Sequence, residues 1–412
     1  MTEPTVRVIT DDEFAESLRV VRTAFVSPPP TDEQVEARRP YTAVDRCHAA
    51  FDADGRMAGV ARAFAAPITV PGGAELPCGA VSAVGVLPTH RRRGLLTGLM
   101  DAQLADVADR GEPLAALIAA EYPIYGRFGY GPATEAVGLH VDARVARWLE
   151  PPTGSVELVD NETFAKEIDA LYDRVRRDTP GHIVCESERW RVHAGVEPWP
   201  DGDESARRDS HKVLWRDDAG EVQAAVAYRV DETWERNRPA GNLSANALVA
   251  ADGRAEAEML RFLASIDWVT ELTIHLRPVD DPAPLALVDG RTAQLRHRSD
   301  HLWVRIVDVP AALGARRYAV PGSLVVEVID PMGFAAGRFR LDGGPDGAEC
   351  ATTTDEPDLV VPARALAAAY LGGQPWGRLA AAGWVDEHRP GGVARASGLF
   401  ATVRAPWCAY TF

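Results

Sequence analysis

Lysine is almost missing from this chain. Lys166 and Lys212 are the only two among 44 basic residues, so nearly all positive charge is arginine. A run of arginines is therefore less surprising here than elsewhere and has to be weighed with its surroundings. Cysteine is sparse too. Cys47, Cys78, Cys185, Cys350 and Cys408 are odd in number, scattered, and never form a CxxC pair, which argues against a disulfide framework and suits a reducing cytoplasm. No run approaches the roughly 18 apolar residues of a membrane span, and the opening MTEPTVRVITDDEF lacks the basic start and apolar stretch of a secretory leader. Neither GxxxxGK followed by Ser or Thr nor GxGxxG occurs, which excludes the P-loop and the dinucleotide fingerprint. Asp386, Glu387 and His388 are adjacent rather than spaced for ligation, so no metal site is expected.

What is present describes a folded protein. At 412 residues, with 46% hydrophobic and 25% charged residues, the chain should form two or three domains of ordinary size. Its net charge of −16 repels phosphate backbones and anionic lipid surfaces, so neither nucleic acid nor membrane is an expected partner. Cationic small molecules are favoured instead, in a general long-range sense.

The pattern of elements repeats. A strand at Thr5–Ile9 precedes a helix opened by Thr10, and strands follow at His48–Asp52, Met57–Ala66 and Cys78–Val86. Leu95, Leu96, Leu99, Met100, Leu104 and Val107 then recur at helical spacing from about Gly94 to Arg110. A strand at Leu114–Ala120, a turn of helix at Ile124–Phe128 and a long strand at Tyr130–Val141 complete the unit. From Pro151 a similar series begins: strand, helix, three strands, the helix Arg254–Ile266 and the strand Leu272–Leu276. After His301 the composition changes to LWVRIVDV, SLVVEVID and GFAAGRFRL as strands, with an Ala-rich helix Ala363–Leu371 closed by Gly372 and Gly373. The expected architecture is α+β, with domains at 1–148, 149–300 and 301–412.

The strongest chemical signal is VSAVGVLPTHRRRGLLTGLM, Val81 to Met100. A strand feeds a short loop that turns into a helix, and three arginines precede Gly94. The first amides of such a helix have no internal partners and point outward with the positive end of the dipole, a setting for a diphosphate. Gly94 lets the backbone come close, and no acid enters the helix before Asp101. Alone, the arginines read equally well as a solvated basic turn; strand, glycine and acid-free first turn together favour the anion site. The second unit has ADGRAEAEML at the corresponding junction, with Asp252, Glu256 and Glu258 where a diphosphate would go. That copy should not bind such a ligand.

RRRGLL, Arg91 to Leu96, resembles the R/Q-x-x-G-x-G/A motif of the Gcn5-related N-acetyltransferases, with Leu96 in place of the final small residue. THRRRGLL together with IYGRFGYGPAT (Ile124–Thr134), LWVRIVDVPAAL (Leu302–Leu313) and the terminal phenylalanine resembles the enhanced intracellular survival protein family over essentially the whole chain. The resemblance implies tandem Gcn5-related N-acetyltransferase folds followed by a sterol-carrier-protein-like α+β domain, assembled as a homohexamer. It implies acetyl-CoA bound by the first copy alone, along Val84, Gly85 and Val86, with the diphosphate on Arg91, Arg92, Arg93, Gly94, Leu95, Leu96 and Thr97, and with Ala120 and Glu121 on the flanking strand.

Amine acetylation needs two proton transfers: the attacking nitrogen loses one, and the departing thiolate benefits from receiving one. By the same resemblance, Tyr125 is the acid and the α-carboxylate of Phe412 the base. A tyrosine near 10 and a thiol near 8.5 are close enough for a hydrogen-bonded donor to stabilise sulfur. A terminal carboxyl near 3.5 lies about 7 units below an ammonium, roughly 9 kcal/mol, so burial, a crowded substrate or a relaying water must close the gap. Without the family pattern, Tyr125 reads as a core aromatic beside Phe128 and Tyr130, and Phe412 as a frayed end, although Trp407, Tyr410 and Phe412 give the tail apolar anchors. His90 is in reach of cofactor phosphate but reads better as a solvated loop histidine, and Glu121 reads equally well as a surface carboxylate at a strand end or as a group that orients substrate or water.

Phe25, Ser27, Ala83 and Thr411 are the expected substrate pocket. Ser27, Ala83 and Thr411 stand where the best-known members of that family carry aspartate, phenylalanine and glutamate, so a wider, less acidic pocket is expected and aminoglycoside acetylation is disfavoured. The expected acceptor is a primary amine of a cationic small molecule or of a lysine side chain. The competing reading is a non-catalytic acyl-CoA or lipid-binding protein built on the Ala-rich third region.

Overall fold

The computed structural model describes residues 5–197 and 209–412. Two seven-stranded sheets follow one plan. Four strands pair antiparallel in each: Thr5–Val8, Cys47–Phe51, Met57–Ala65 and Cys78–Val86 in the first, and Ser155–Val159, His211–Arg216, Val222–Asp231 and Gly241–Ala250 in the second. The fifth strand, Leu114–Ile118 or Val269–Arg277, lies parallel to the fourth. A parallel neighbour cannot be reached by a tight turn, and the helices Leu95–Asp109 and Gly253–Ala264 make the two crossovers. Leu99, Met100, Leu104 and Val107 are fully buried on the first of these helices, as their spacing predicts. The expected duplication is therefore present.

The two sheets are interlocked in a way that the linear cuts at 148 and 300 do not follow. The strand expected at Tyr130–Val141 breaks into Gly131–Pro132 and Glu135–Asp142. Gly131–Pro132 is the edge strand of the first sheet, where a residue without an N–H is tolerated, and the chain leaves that sheet after Ala133 and Thr134 N–H have bonded to Leu302 O at 2.9 and 3.0 Å. Glu135–Asp142 then inserts between Val269–Arg277 and Ala293–Asp300 in the second sheet. In return Leu302–Ile306, expected in the third domain, pairs with Leu114–Ile118 and Gly131–Pro132 in the first. Thr134 pins the crossing: its hydroxyl oxygen accepts from Leu302 N–H at 3.0 Å and its carbonyl from His301 N–H at 3.0 Å.

A five-stranded sheet, with Gly322–Ile329 at its centre, and the helices Ala363–Tyr370 and Gly392–Phe400 form the third region. Its interior holds a fully buried arginine. Arg316 donates to the carbonyls of Tyr370 and Phe400, and its guanidinium lies 4.6 and 4.5 Å from the ring centroids of Tyr318 and Phe400. A buried cation is tolerable only with such partners.

Candidate active site

The site begins where the first sheet opens. Cys78–Val86 and Leu114–Ile118 are paired only from Cys78 to Ala80 and from Leu114 to Ala116, after which both strands run on and diverge. Ala83 adopts φ 49°, and the register with Met57–Ala65 slips between Val60 and Arg62, a bulge that turns the strand aside. Val84, Gly85 and Val86 on one side and Ala120 and Glu121 on the other line the resulting cleft. Gly85 is required by packing: an added Cβ would stand 2.7 Å from the Cβ of Ala24.

The cleft leads to the start of Leu95–Asp109. Gly94 is its N-cap residue at φ 81°, with nothing within 4 Å of where a Cβ would sit. Gly98 N–H makes the first helical bond, to Gly94 O at 3.0 Å. The amides of Leu95, Leu96 and Thr97 precede it and have no helical acceptor. No side chain caps this terminus, and its first turn holds no acid. Arg91 and Arg92 line the cavity beside it. Arg93 does not; it lines a separate recess with Glu13, Glu16 and Asp52, so the structure separates it from the group in which the motif puts it. His90 is engaged by Asp52, whose carboxylate is 3.4 Å from Nε2, and by Thr89, whose Oγ1 is 2.8 Å from Nδ1.

The second fold closes the same place. Gly241–Ala250 and Val269–Arg277 stay paired from Gly241 opposite Val269 to Ala247 opposite Leu276. The crossover helix is capped by its own Asp252, which accepts from Ala255 N–H at 2.8 Å. At the strand ends the fully buried Arg277 donates to Leu248 O at 3.1 Å and pairs with Glu256 and Asp281 at 2.5 Å each. Burial pushes the Glu256 carboxyl up although Arg277 pulls it down. These side chains fill what is a cleft in the first fold. Glu258 has no part in this; it accepts from Thr153 N–H at 3.1 Å and pairs with Arg261.

At the far end of the cleft, Tyr125 ends the short helix Tyr122–Tyr125 and is 8% exposed. Burial first, and then the charge of Glu121, raises its phenol above the ordinary tyrosine value, so the group keeps its proton at neutral pH. The C-terminal segment reaches the same cavity. Trp407 to Tyr410 are buried, Trp407 N–H donates to Pro180 O at 2.9 Å, and Thr411 and Phe412 line the cavity with Tyr125. The ring of Phe412 meets Phe64 edge-on at 5.5 Å and lies nearly parallel to Tyr410 at 6.4 Å.

Phe25, Ser27 and Ala83 also line this cavity of about 1820 Å³. Of the residues named from the sequence, only Arg93 lies elsewhere. What the sequence did not reveal is the contribution of the second fold, whose Trp190, Tyr228, Asn246 and His275 complete the lining. The described lining residues include eight arginines and one side-chain carboxylate, Glu121. The acidity of the whole chain thus does not carry over to those residues, and the long-range argument for a cationic ligand stops at the cavity mouth. Among the described residues no cluster of histidine, cysteine and carboxylate side chains could hold a metal ion, and no helix is long and apolar enough to cross a membrane.

Comparison with known proteins agrees with this geometry. Family models described as acetyltransferase (GNAT) domains match residues 5–133 and 181–306, and one described as a sterol carrier protein domain matches 309–409. An N-acetyltransferase of Streptomyces avermitilis, described as uncharacterized, is 40% identical over 410 residues, 98% of this chain and 97% of that one. The N-acetyltransferase Eis of Mycobacterium tuberculosis is 36% identical over 373 residues, 87% of each chain. The crystal structure of Eis1 from Mycobacterium abscessus, 33% identical, superposes with a TM-score of 0.86 over 99% of this chain and 100% of that one. With likeness along nearly its whole length, and one open and one filled acetyltransferase cleft, the chain belongs to the enhanced intracellular survival family of acetyl-CoA-dependent N-acetyltransferases.

Proposed function

We propose that the enzyme acetylates a primary amine of a bulky small molecule or of a lysine side chain, in the cavity between the two acetyltransferase folds. The observation that carries this reading is that Tyr125, Phe412 and the open cleft all line one space. Its volume of about 1820 Å³ exceeds the roughly 300–1000 Å³ of an ordinary ligand site, leaving room for an acceptor beside the cofactor arm. Phe25, Phe64, Trp190 and Tyr228 give it aromatic walls. Acceptors with one positive charge are favoured over polycations, since arginine dominates the described lining.

Acetyl-CoA supplies the thioester carbonyl that the amine attacks. The residues present suit that cofactor: free amides of Leu95, Leu96 and Thr97 with Arg91 and Arg92 for the diphosphate, and the unpaired edge of Val84–Val86 for the amide-bearing arm. Tyr125 retains its proton through burial and donates it to the leaving sulfur. The Phe412 carboxylate takes the proton that the nitrogen gives up, directly or through a water. Overall, one N–C bond replaces one S–C bond, and each proton has a named donor or acceptor. The reaction belongs in the cytoplasm, where five free cysteines are stable, and in a homohexamer, as the resemblance implies.

The test is to extend the chain by two glycines beyond Phe412 and follow thiol release with lysine-bearing peptides, monoamines, polyamines and aminoglycosides. Turnover should fall at least about 100-fold with acetyl-CoA affinity unchanged. Undiminished turnover removes Phe412 as base. Acetyl-CoA binding with no thiol release from any acceptor points instead to a binding protein.

A further inference from the structure

The second fold has lost its own cleft, yet one of its helices touches both rings that flank the residue proposed as base. We propose that Arg189 is the positioning residue for the Phe412 carboxylate, so that the degenerate fold serves as the clamp for the catalytic end of the chain. This rests on the reading of that carboxylate as the base.

Arg189 lies on the helix Ser187–Ala194 and lines the cavity. Its guanidinium covers the ring of Phe64 at 4.2 Å, and Nη1 donates to the hydroxyl of Tyr410 at 3.4 Å. These are the two rings that flank Phe412, one edge-on at 5.5 Å and one nearly parallel at 6.4 Å. A single planar cation therefore ties a strand of the first fold to the tail, and Phe412 sits between the two tied rings. The guanidinium offers a face to Phe64 while its edge still donates, which a lysine ammonium cannot do at once.

The neighbourhood leaves this as the last adjustable link. His193 meets Tyr410 edge-on at 5.1 Å, and Trp407 is held by Pro180 and by His182 at 5.0 Å. The chain is thus seated up to Tyr410 by the segment Pro180–His193, whereas Thr411 is exposed and Phe412 half-buried. The direction of the final carboxylate follows from how the Phe412 ring is gripped. Arg189 is also paired outward with Glu186, at 3.8 Å, which restrains it from the solvent side.

The experiment measures kcat, KM for the amine, and acetyl-CoA affinity in Arg189→Ala and Arg189→Lys, each in the native chain and in the chain extended by two glycines. Misplacing a reacting group by about 1 Å costs on the order of 100-fold. Arg189→Ala should lower kcat by about 10- to 100-fold with acetyl-CoA affinity within twofold, and Arg189→Lys should recover part of the loss. In the extended chain, where Phe412 carries a peptide bond and the free carboxylate stands two residues further on, Arg189→Ala should leave the residual rate unchanged. Retained acetyl-CoA affinity reports that each variant is folded. If Arg189→Ala does not fold, Arg189→Lys carries the test, with a loss of at least about threefold expected in the native chain and none in the extended one. The proposal is overturned if kcat is unaffected, if only the acetyl-CoA affinity moves, or if the same fold-loss appears in both backgrounds. Should the extended chain keep full turnover, the carboxylate reading falls and takes this one with it; a dead extended chain with a neutral Arg189→Ala overturns the clamp alone.

Discussion

Replacing Gly94 by aspartate places a carboxylate at the N-cap of the open helix, the position that Asp252 holds on the closed one. Gly94 is at φ 81° with empty space around its Cβ direction, whereas Asp252 caps the corresponding helix from φ −154°. The new carboxylate cannot cap in the same way without a change of backbone, so it points toward the anion site. Placed about 5 Å from a diphosphate of charge about −2, it raises the binding free energy by about 1.7 kcal/mol at the dielectric of water and about 3.3 kcal/mol at half that value. Acetyl-CoA should therefore bind roughly 20- to 250-fold more weakly. The left-handed conformation adds a separate cost of about 1 kcal/mol to folding, and Gly94→Asn carries that cost without the charge. Calorimetric titration of both variants at low and high salt isolates the electrostatic part, which should shrink as salt rises. Equal affinities for the aspartate and asparagine variants, within twofold at low salt, would refute the placement of the diphosphate.

Other consequences can be measured directly. Tyr125→Phe removes the buried proton donor and should lower kcat by about 10²- to 10⁴-fold with acetyl-CoA affinity nearly constant, as read by single-turnover kinetics. His182 is fully buried against Tyr172 and Trp407, and burial lowers its pKa to about 3. Below pH 6.5 the unfolded chain takes up a proton that the native one refuses, so stability falls as pH drops from 6.5 toward 3, by about 2 kcal/mol at pH 5. Urea unfolding at pH 7 and 5 should show that much less acid loss in His182→Gln; an identical loss contradicts the assignment. Arg316→Met leaves two buried carbonyls without their donor and should destabilise the protein by about 2–4 kcal/mol while acetyl-CoA affinity stays constant.

Much of this was legible in the sequence because it depends on local pattern. The helical spacing of Leu99, Met100, Leu104 and Val107, the glycine at the helix start and the contrast between RRRGLL and ADGRAEAEML all report on single elements and their ends. The missed features depend on partners distant in the chain. Periodicity shows that Leu302–Ile306 is a strand but not that it pairs with Leu114–Ile118, and an apolar run spanning Pro132 conceals the point at which the chain changes sheets. Arg93 looks equivalent to its two neighbours until the left-handed turn at Arg92, φ 62°, sends the chain another way. The net charge misled for the same reason: it averages over a surface, whereas a ligand meets a lining.

Hydrogen exchange with and without acetyl-CoA, run beside calorimetric stoichiometry, tests most directly whether the Gly94 helix is the cofactor site. One molecule should bind per chain, with protection at Leu95 to Gly98 and at Val84 to Val86 and none at Gly253 to Glu256. Protection at the second crossover helix, two molecules per chain, or saturation with no protection at the first would contradict it.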